Sequence, residues 1–326
     1  MDATALTHKI RTALAPCRLG DWPTPLEPAP ELGRALGVAG LVLKREDRSA
    51  ARCGGNKVRG LEFLLAGAAP GTVFVTVGAT GSSHCLATAA HAGVLGCYAA
   101  LAQFPQPETA TSRAVARACA TRAALVVRAR GRATLPWAVL AAWRGARALG
   151  PRRWIPGGGA DPRAVVGHFL AALELAHQLA EPPEAIVAPL GTGGTVAGLL
   201  LGVTQLGWPT QVIGVRVAPR IVASRWRTLR LARGAARLLA RHGIALVDGR
   251  VRSRLALVNG VGRGYGHPTP EGEAAGRLAA EHGLALDATY GAKALAALAR
   301  RPAGAVQRVV FWHTFGVPAP AGEVLA

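Results

Sequence analysis

Lysine is scarce in this chain, and one lysine stands where a reactive amine would be useful. Of 38 basic residues only Lys9, Lys44, Lys57 and Lys293 are lysines. Lys57 follows Gly54-Gly55-Asn56 and opens a helical pattern. A helix N-terminus carries partial positive charge and disfavours an ammonium. A lysine held there and desolvated titrates below its ordinary value and becomes a competent nucleophile for a carbonyl. Taken alone, an Asn-Lys pair reads first as an ordinary surface lysine.

Two loops add anion-binding chemistry. An apolar run at 185–190 leads into Gly191-Thr192-Gly193-Gly194-Thr195 and then a helical pattern from Val196. Glycines turn backbone N–H groups toward one point, and the helix end and threonine hydroxyls add donors, which suits a phosphate. It is not a dinucleotide fingerprint, since position 196 is Val and the run at 211–217 lacks the acid that would hold a ribose. The run at 73–77 leads into Gly78-Ala79-Thr80-Gly81-Ser82-Ser83-His84, a second strand, Gly/Ser turn and helix start that suits a carboxylate. His84 and His91 lie two helical turns apart with no carboxylate to complete a metal site, and no metal is expected. Of three tyrosines, Tyr265 and Tyr290 lie in Gly-flanked loops, where a phenol serves as acid, base or nucleophile.

The elements that must carry these loops alternate. Strand-like runs fall at 41–44, 72–77, 97–103, 124–128, 185–189, 211–217, 245–248 and 306–313. Helical patterns fall at 58–69, 85–95, 135–149, 164–180, 196–205, 225–242, 270–282 and 292–300. Strict β–α alternation predicts an α/β fold of open, twisted, mostly parallel sheets flanked by helices. The strands before and after Pro156-Gly157-Gly158-Gly159 form separate sets, so two sheets are expected. Ligands then sit at the carboxyl ends of the strands.

Composition limits the class. The chain has 326 residues, half of them apolar, enough for about two domains. No apolar run approaches ~18 residues, and the first residues lack a signal-peptide layout, so a cytoplasmic protein off the membrane is expected. Five cysteines, Cys17, Cys53, Cys85, Cys97 and Cys119, have no CxxC spacing and fit a reducing compartment. The net charge is +20. An arginine bias without lysine reads first as codon usage. A polyanion partner is the alternative, carried by nine arginines against Asp248 within 224–254, with Arg230, Arg233, Arg237 and Arg241 on one helical stripe. Nucleic acid is not the expected partner, because no aromatic interleaving accompanies the stripe.

Taken together the motifs resemble the fold-type II pyridoxal-phosphate enzymes, and more narrowly the 1-aminocyclopropane-1-carboxylate deaminase / D-cysteine desulfhydrase family. They run in order from Pro23-Thr24-Pro25-Leu26 and Lys44-Arg45-Glu46-Asp47 through Gly54 to Arg59, Gly78 to His84, Pro156-Gly157-Gly158, Gly191 to Thr195 and Gly264-Tyr265-Gly266-His267-Pro268. They close with Leu286-Asp287, Tyr290 to Ala294 and Phe311-Trp312-His313-Thr314. The resemblance implies a tryptophan synthase β-like fold, with a larger domain of residues 1–50 and 157–326 and a smaller one of 51–156. It implies pyridoxal 5'-phosphate as cofactor, a small amino-acid substrate and a homodimer. Lys57 becomes the Schiff-base lysine and the proton shuttle at Cα. Asn56, Ser83 and Gly191, Thr192, Gly193, Gly194 and Thr195 contact the cofactor, the last five at its phosphate. Ser82, Ser83 and His84 receive the substrate carboxylate. Tyr265 and Tyr290 flank the substrate, and Thr314 meets the pyridine nitrogen.

Three positions depart from the family. Ser83 replaces an asparagine beside the cofactor ring. Gly291 replaces the glutamate of the deaminases and the threonine of the desulfhydrases. Phe315 replaces a glycine and is expected to intrude near the ring. The implied reaction is Cα deprotonation and β-elimination from a β-substituted amino acid, D-cysteine or a relative, to a 2-oxo acid and ammonia. The alternatives are a β-replacement synthase, a 1-aminocyclopropane-1-carboxylate deaminase, or an inactive homologue that binds an anion or nucleic acid.

Overall fold

The computed structural model describes residues 2–247, 251–300 and 307–316. Its strands are β1 (Leu26–Pro28), β2 (Gly40–Arg45), β3 (Val73–Ala79), β4 (Tyr98–Phe104), β5 (Leu125–Arg128), β6 (Arg152–Ile155), β7 (Ala185–Leu190), β8 (Gln211–Arg216), β9 (Leu255–Asn259) and β10 (Arg308–His313). Its helices are α1 (Ala3–Leu14), α2 (Pro30–Ala35), α3 (Lys57–Leu64), α4 (Ser83–Val94), α5 (Ala110–Arg122), α6 (Leu135–Gly145), α7 (Pro162–Gln178), α8 (Gly194–Gln205), α9 (Arg225–Arg241), α10 (Pro270–Glu281) and α11 (Gly291–Ala299).

Two sheets form. One has the order β1-β2-β10-β7-β8-β9 and the other β5-β4-β3-β6. Every pair is parallel except β1 with β2. Central strands buried on both faces read as continuous apolar runs, and β7, Ala-Ile-Val-Ala-Pro-Leu, is buried at all six positions. The strand period of two sends alternate residues to opposite cores. Ala185, Val187, Val309 and Phe311 pack with α10 and α11 side chains such as Ala275 and Leu295. Ile186, Ala188, Val310 and Trp312 pack with α7 and α8 through Leu175 and Leu199. The second sheet repeats this, with Phe74 and Leu101 toward α3 and α4, and Val73 and Ala100 toward α6.

Helix starts follow their capping residues. Ser82, Thr109, Asp161, Ser224 and Thr269 each accept a backbone N–H of the first turn. The helices also approach closely where a side chain would block them. A Cβ on Gly167 of α7 would lie 2.0 Å from the Arg59 carbonyl of α3, so Gly167 lets α3 settle against α7.

The expected strand at 245–248 does not form. Residues 245–247 are irregular, and Asp248 lies outside the described residues, as do Arg250 and Val306. The edge of β8 is taken instead by β9, and Ile244 turns into the core between α7 and α9. The strands β1, β6 and β9 and the helices α1, α2 and α5 are additions to the sequence expectation. Arg230, Arg233, Arg237 and Arg241 do share the exposed face of α9.

Candidate active site

A cavity of ≈ 530 Å³ opens between the two sheets, lined by loops from the carboxyl ends of β3, β4, β6, β7, β8 and β10. Asn56, Lys57, Ser82, Ser83, His84, Gly191, Thr192, Gly193, Gly194, Thr195, Tyr265, Tyr290 and Thr314 all line it. Every site residue expected from the sequence therefore reaches one chamber.

Lys57 is the first residue of α3, and its Nζ donates to the Gly158 carbonyl at 3.3 Å. Among the described residues no carboxylate pairs with it, and burial pushes the amine down to about 8. Behind it, α3 is fixed by a buried ionic network. Arg59 donates to both oxygens of Glu46, at 2.7 and 2.8 Å, and to both of Glu174, at 2.8 and 3.0 Å. Lys44, fully buried, donates to Glu174 at 2.5 Å and to the Thr24 carbonyl at 2.8 Å. Burial pushes the Lys44 ammonium down, against the pull of Glu174.

Asn56 ties three segments together. Its Nδ2 donates to Thr195 Oγ1 of α8 at 2.7 Å, and its backbone N–H donates to the Thr314 carbonyl after β10 at 2.8 Å. The loop after β7 turns through Gly193 at φ +99°, a conformation glycine adopts freely. At Gly194 the first atom a Cβ would meet is the Gly159 carbonyl oxygen, 3.9 Å away, so the loop faces open space there. Free N–H groups, two threonine hydroxyls and a helix N-terminus around open space form a donor set that fits a phosphate.

Ser82 caps α4, accepting the Cys85 N–H at 3.3 Å, and Ser83 opens the helix. His84 is neutral. Burial pushes it down to about 3, with the Lys57 charge adding to the effect. Thr76 donates its hydroxyl to the Ile155 carbonyl at 2.9 Å, so His84 Nε2, 2.9 Å from that hydroxyl, must be the donor. Its Nδ1 is then a buried lone pair without a partner. His84 thus contributes no positive charge toward a carboxylate.

Tyr265 and Tyr290 meet hydroxyl to hydroxyl at 2.5 Å, with rings edge to face. Burial pushes the Tyr265 phenol up to about 12 and holds Tyr290 well above its ordinary value, so both are protonated at neutral pH. Asp287 orders the second one, accepting the N–H groups of Thr289, Tyr290 and Gly291 at 3.0, 2.7 and 2.9 Å. Phe315 lines the cavity as expected, yet it is only 8% exposed and packs with Leu61 and Leu86. Phe104, Arg132, Leu135, Ile221, Val222 and Arg227 also line the chamber. Arg227 belongs to the basic stretch at 224–254 but nothing sets it apart there, and in a chain this rich in arginine Arg132 carries no signal by type.

The family model for pyridoxal-phosphate dependent enzymes matches residues 17–314. A "Nocardicin C-9' epimerase" of Nocardia uniformis subsp. tsuyamanensis is 36% identical over 293 residues, covering 87% of this chain and 88% of that one. A "D-cysteine desulfhydrase" of Klebsiella pneumoniae (strain 342) is 32% identical over 333 residues, covering 91% and 92%. The crystal structure of an ACC deaminase homologue superposes with a TM-score of 0.79 at 28% identity, covering 95% of each chain.

Proposed function

The chain belongs to the pyridoxal-phosphate dependent enzyme family, and from that premise we propose that it removes the Cα proton of a β-substituted amino acid and eliminates the β-substituent, leaving a 2-oxo acid and ammonia. Bound pyridoxal phosphate supplies the electron sink that makes a Cα–H acidic. The observation that carries the reading is one cavity holding the depressed Lys57 amine, the open cradle of Gly191 to Thr195 and the protonated tyrosine pair.

Lys57 Nζ is the base at Cα, because an amine near 8 is partly unprotonated at neutral pH. Ser82 and the N–H groups that open α4 hold the substrate carboxylate. Ser83 and Thr314, which line the cavity, would hold the cofactor ring. A neutral hydroxyl from Thr314 at the ring nitrogen would leave that nitrogen largely unprotonated, which favours elimination over transamination. Tyr265 and Tyr290 supply a proton to the departing heteroatom. Among the described residues no carboxylate lines the cavity, which favours elimination over the deaminase alternative that a relative named "Putative 1-aminocyclopropane-1-carboxylate deaminase" also supports.

A second reading, return of the proton to Cα with inversion, is favoured by the relative named an epimerase and by a phenol pair available as a second proton donor. Two domains divided near 51 and 156 are supported by the sheet membership of the strands, while α3, inside the smaller range, is tied to the larger one through Arg59 and Asn56. A homodimer is supported by exposed Trp137, Trp154 and Trp226. We also infer a cytoplasmic location; among the described residues no helix is long and apolar enough to cross a membrane.

The test supplies purified protein with pyridoxal phosphate, then D-cysteine and L-cysteine, and follows visible absorption, sulfide and 2-oxo acid. Elimination appears as equal amounts of both products, lost in Lys57→Ala. Exchange of solvent deuterium at Cα without either product selects the epimerase reading, and neither exchange nor product overturns both.

A further inference from the structure

The two anions of a cofactor-bound amino acid already have seats, the phosphate at α8 and the α-carboxylate at α4. Two guanidinium groups in the same cavity have none. Arg132, before α6, and Arg227, in the first turn of α9, both line it, and among the described residues no Asp or Glu does. Neither side chain has a carboxylate partner among the described residues, and Arg227 Nε is buried with no hydrogen-bond partner. Arg132 lies over the Phe104 ring at 5.7 Å, and that ring lies 6.4 Å from Tyr265. The wall around them is apolar, formed by Phe104, Leu135, Ile221 and Val222. A partly desolvated cation such as Arg227 needs a counter-charge, and none of the described residues provides one; Arg132, which is exposed, adds a second positive charge.

We propose that the substrate's β-substituent ends in an anionic group, a carboxylate or its equivalent, held by Arg227 and Arg132 in this cavity. This rests on the β-elimination reading and names its substrate class. Lys57 takes the Cα proton, the bond from Cβ to the substituent's heteroatom breaks, and the heteroatom leaves with the electron pair and gains a proton. Water converts the remaining three-carbon unit to pyruvate and ammonia, so no oxidant or reductant is needed.

The test compares S-(2-carboxyethyl)cysteine with its near-isostere S-propylcysteine, each as D and L forms, on the holoenzyme. Calorimetric affinity is measured beside kcat and KM. The carboxylate is expected to be preferred by about tenfold or more in affinity and in kcat/KM, as one charge-assisted contact provides. The preference is expected to shrink as salt rises. Arg227→Met and Arg132→Met each reduce the ratio toward one, and Arg227→Lys keeps part of it. Equal affinity for the two compounds, or no binding of the carboxylate, overturns the subsite whether or not elimination occurs. Preferential binding without pyruvate upholds the subsite and rejects elimination. Loss of pyridoxal phosphate from Arg227→Met, with no change in the ratio, assigns that guanidinium to the cofactor phosphate and also overturns the proposal.

Discussion

The phenol oxygens of Tyr265 and Tyr290 lie 2.5 Å apart, so one hydroxyl donates to the other and the pair has one proton left to direct outward. A shared proton makes the two residues one functional unit. Tyr265→Phe and Tyr290→Phe are each expected to lower kcat by roughly 10²–10⁴-fold, as loss of a general acid does. The double variant should be little worse than the more damaged single one. KM should move far less than kcat. Steady-state kinetics on the three variants check this, and full additivity would show two independent phenols.

The Lys57 amine sets the pH dependence of cofactor capture. Burial disfavours its ammonium and pushes it down to about 8, so the reactive neutral amine grows as pH rises toward that value. Stopped-flow uptake of pyridoxal phosphate by the apoprotein should climb about tenfold per pH unit below 8 and level above it. A rate still climbing at pH 10 would mean an ordinary lysine.

Glu174 joins Lys44 and Arg59 in the buried network behind α3. Burial pushes its carboxyl up, but Arg59 and Lys44 outweigh that and hold it below its ordinary value. A depressed carboxyl contributes stability at pH above its unfolded value, lost as pH falls through the folded one. Glu174→Gln should therefore cost about 3–5 kcal/mol by leaving buried cations unpaired. It should also flatten the acid limb of stability, which denaturant unfolding from pH 7 to 3 reads directly.

Gly194 faces the open space of the phosphate cradle. Gly194→Val adds methyl groups where the phosphate oxygens would sit, without straining a positive-φ backbone. The variant should fold with an unchanged melting temperature as apoprotein and bind pyridoxal phosphate at least tenfold more weakly. Equal loss of folding and binding would assign the glycine to packing instead.

What the sequence disclosed was local. Gly191 to Thr195 lies between a strand and a helix within a few residues, and Lys57 opens a helix behind two glycines. Such motifs carry their geometry in their spacing. The Lys44–Glu174 contact joins residues 130 positions apart, and Arg227 reaches the cavity because α9 packs beside Gly193. Neither follows from any window of the chain. The misplaced strand at 245–248 has the same cause. An apolar run becomes a strand only where a sheet edge is free, and β9 occupies the edge of β8.

The double attachment of Asn56 has a mechanical consequence. One amide side chain and one backbone N–H pin the start of α3 to Thr195 and to Thr314, which belong to the six-stranded sheet's end of the cavity. Ser82 and Ser83 hang instead from β3 of the four-stranded sheet. The chamber is thus a vice with one fixed jaw. Any hinge motion between the sheets alters the reach from the carboxylate seat to Lys57, while the amine, the phosphate cradle and Thr314 keep their mutual spacing.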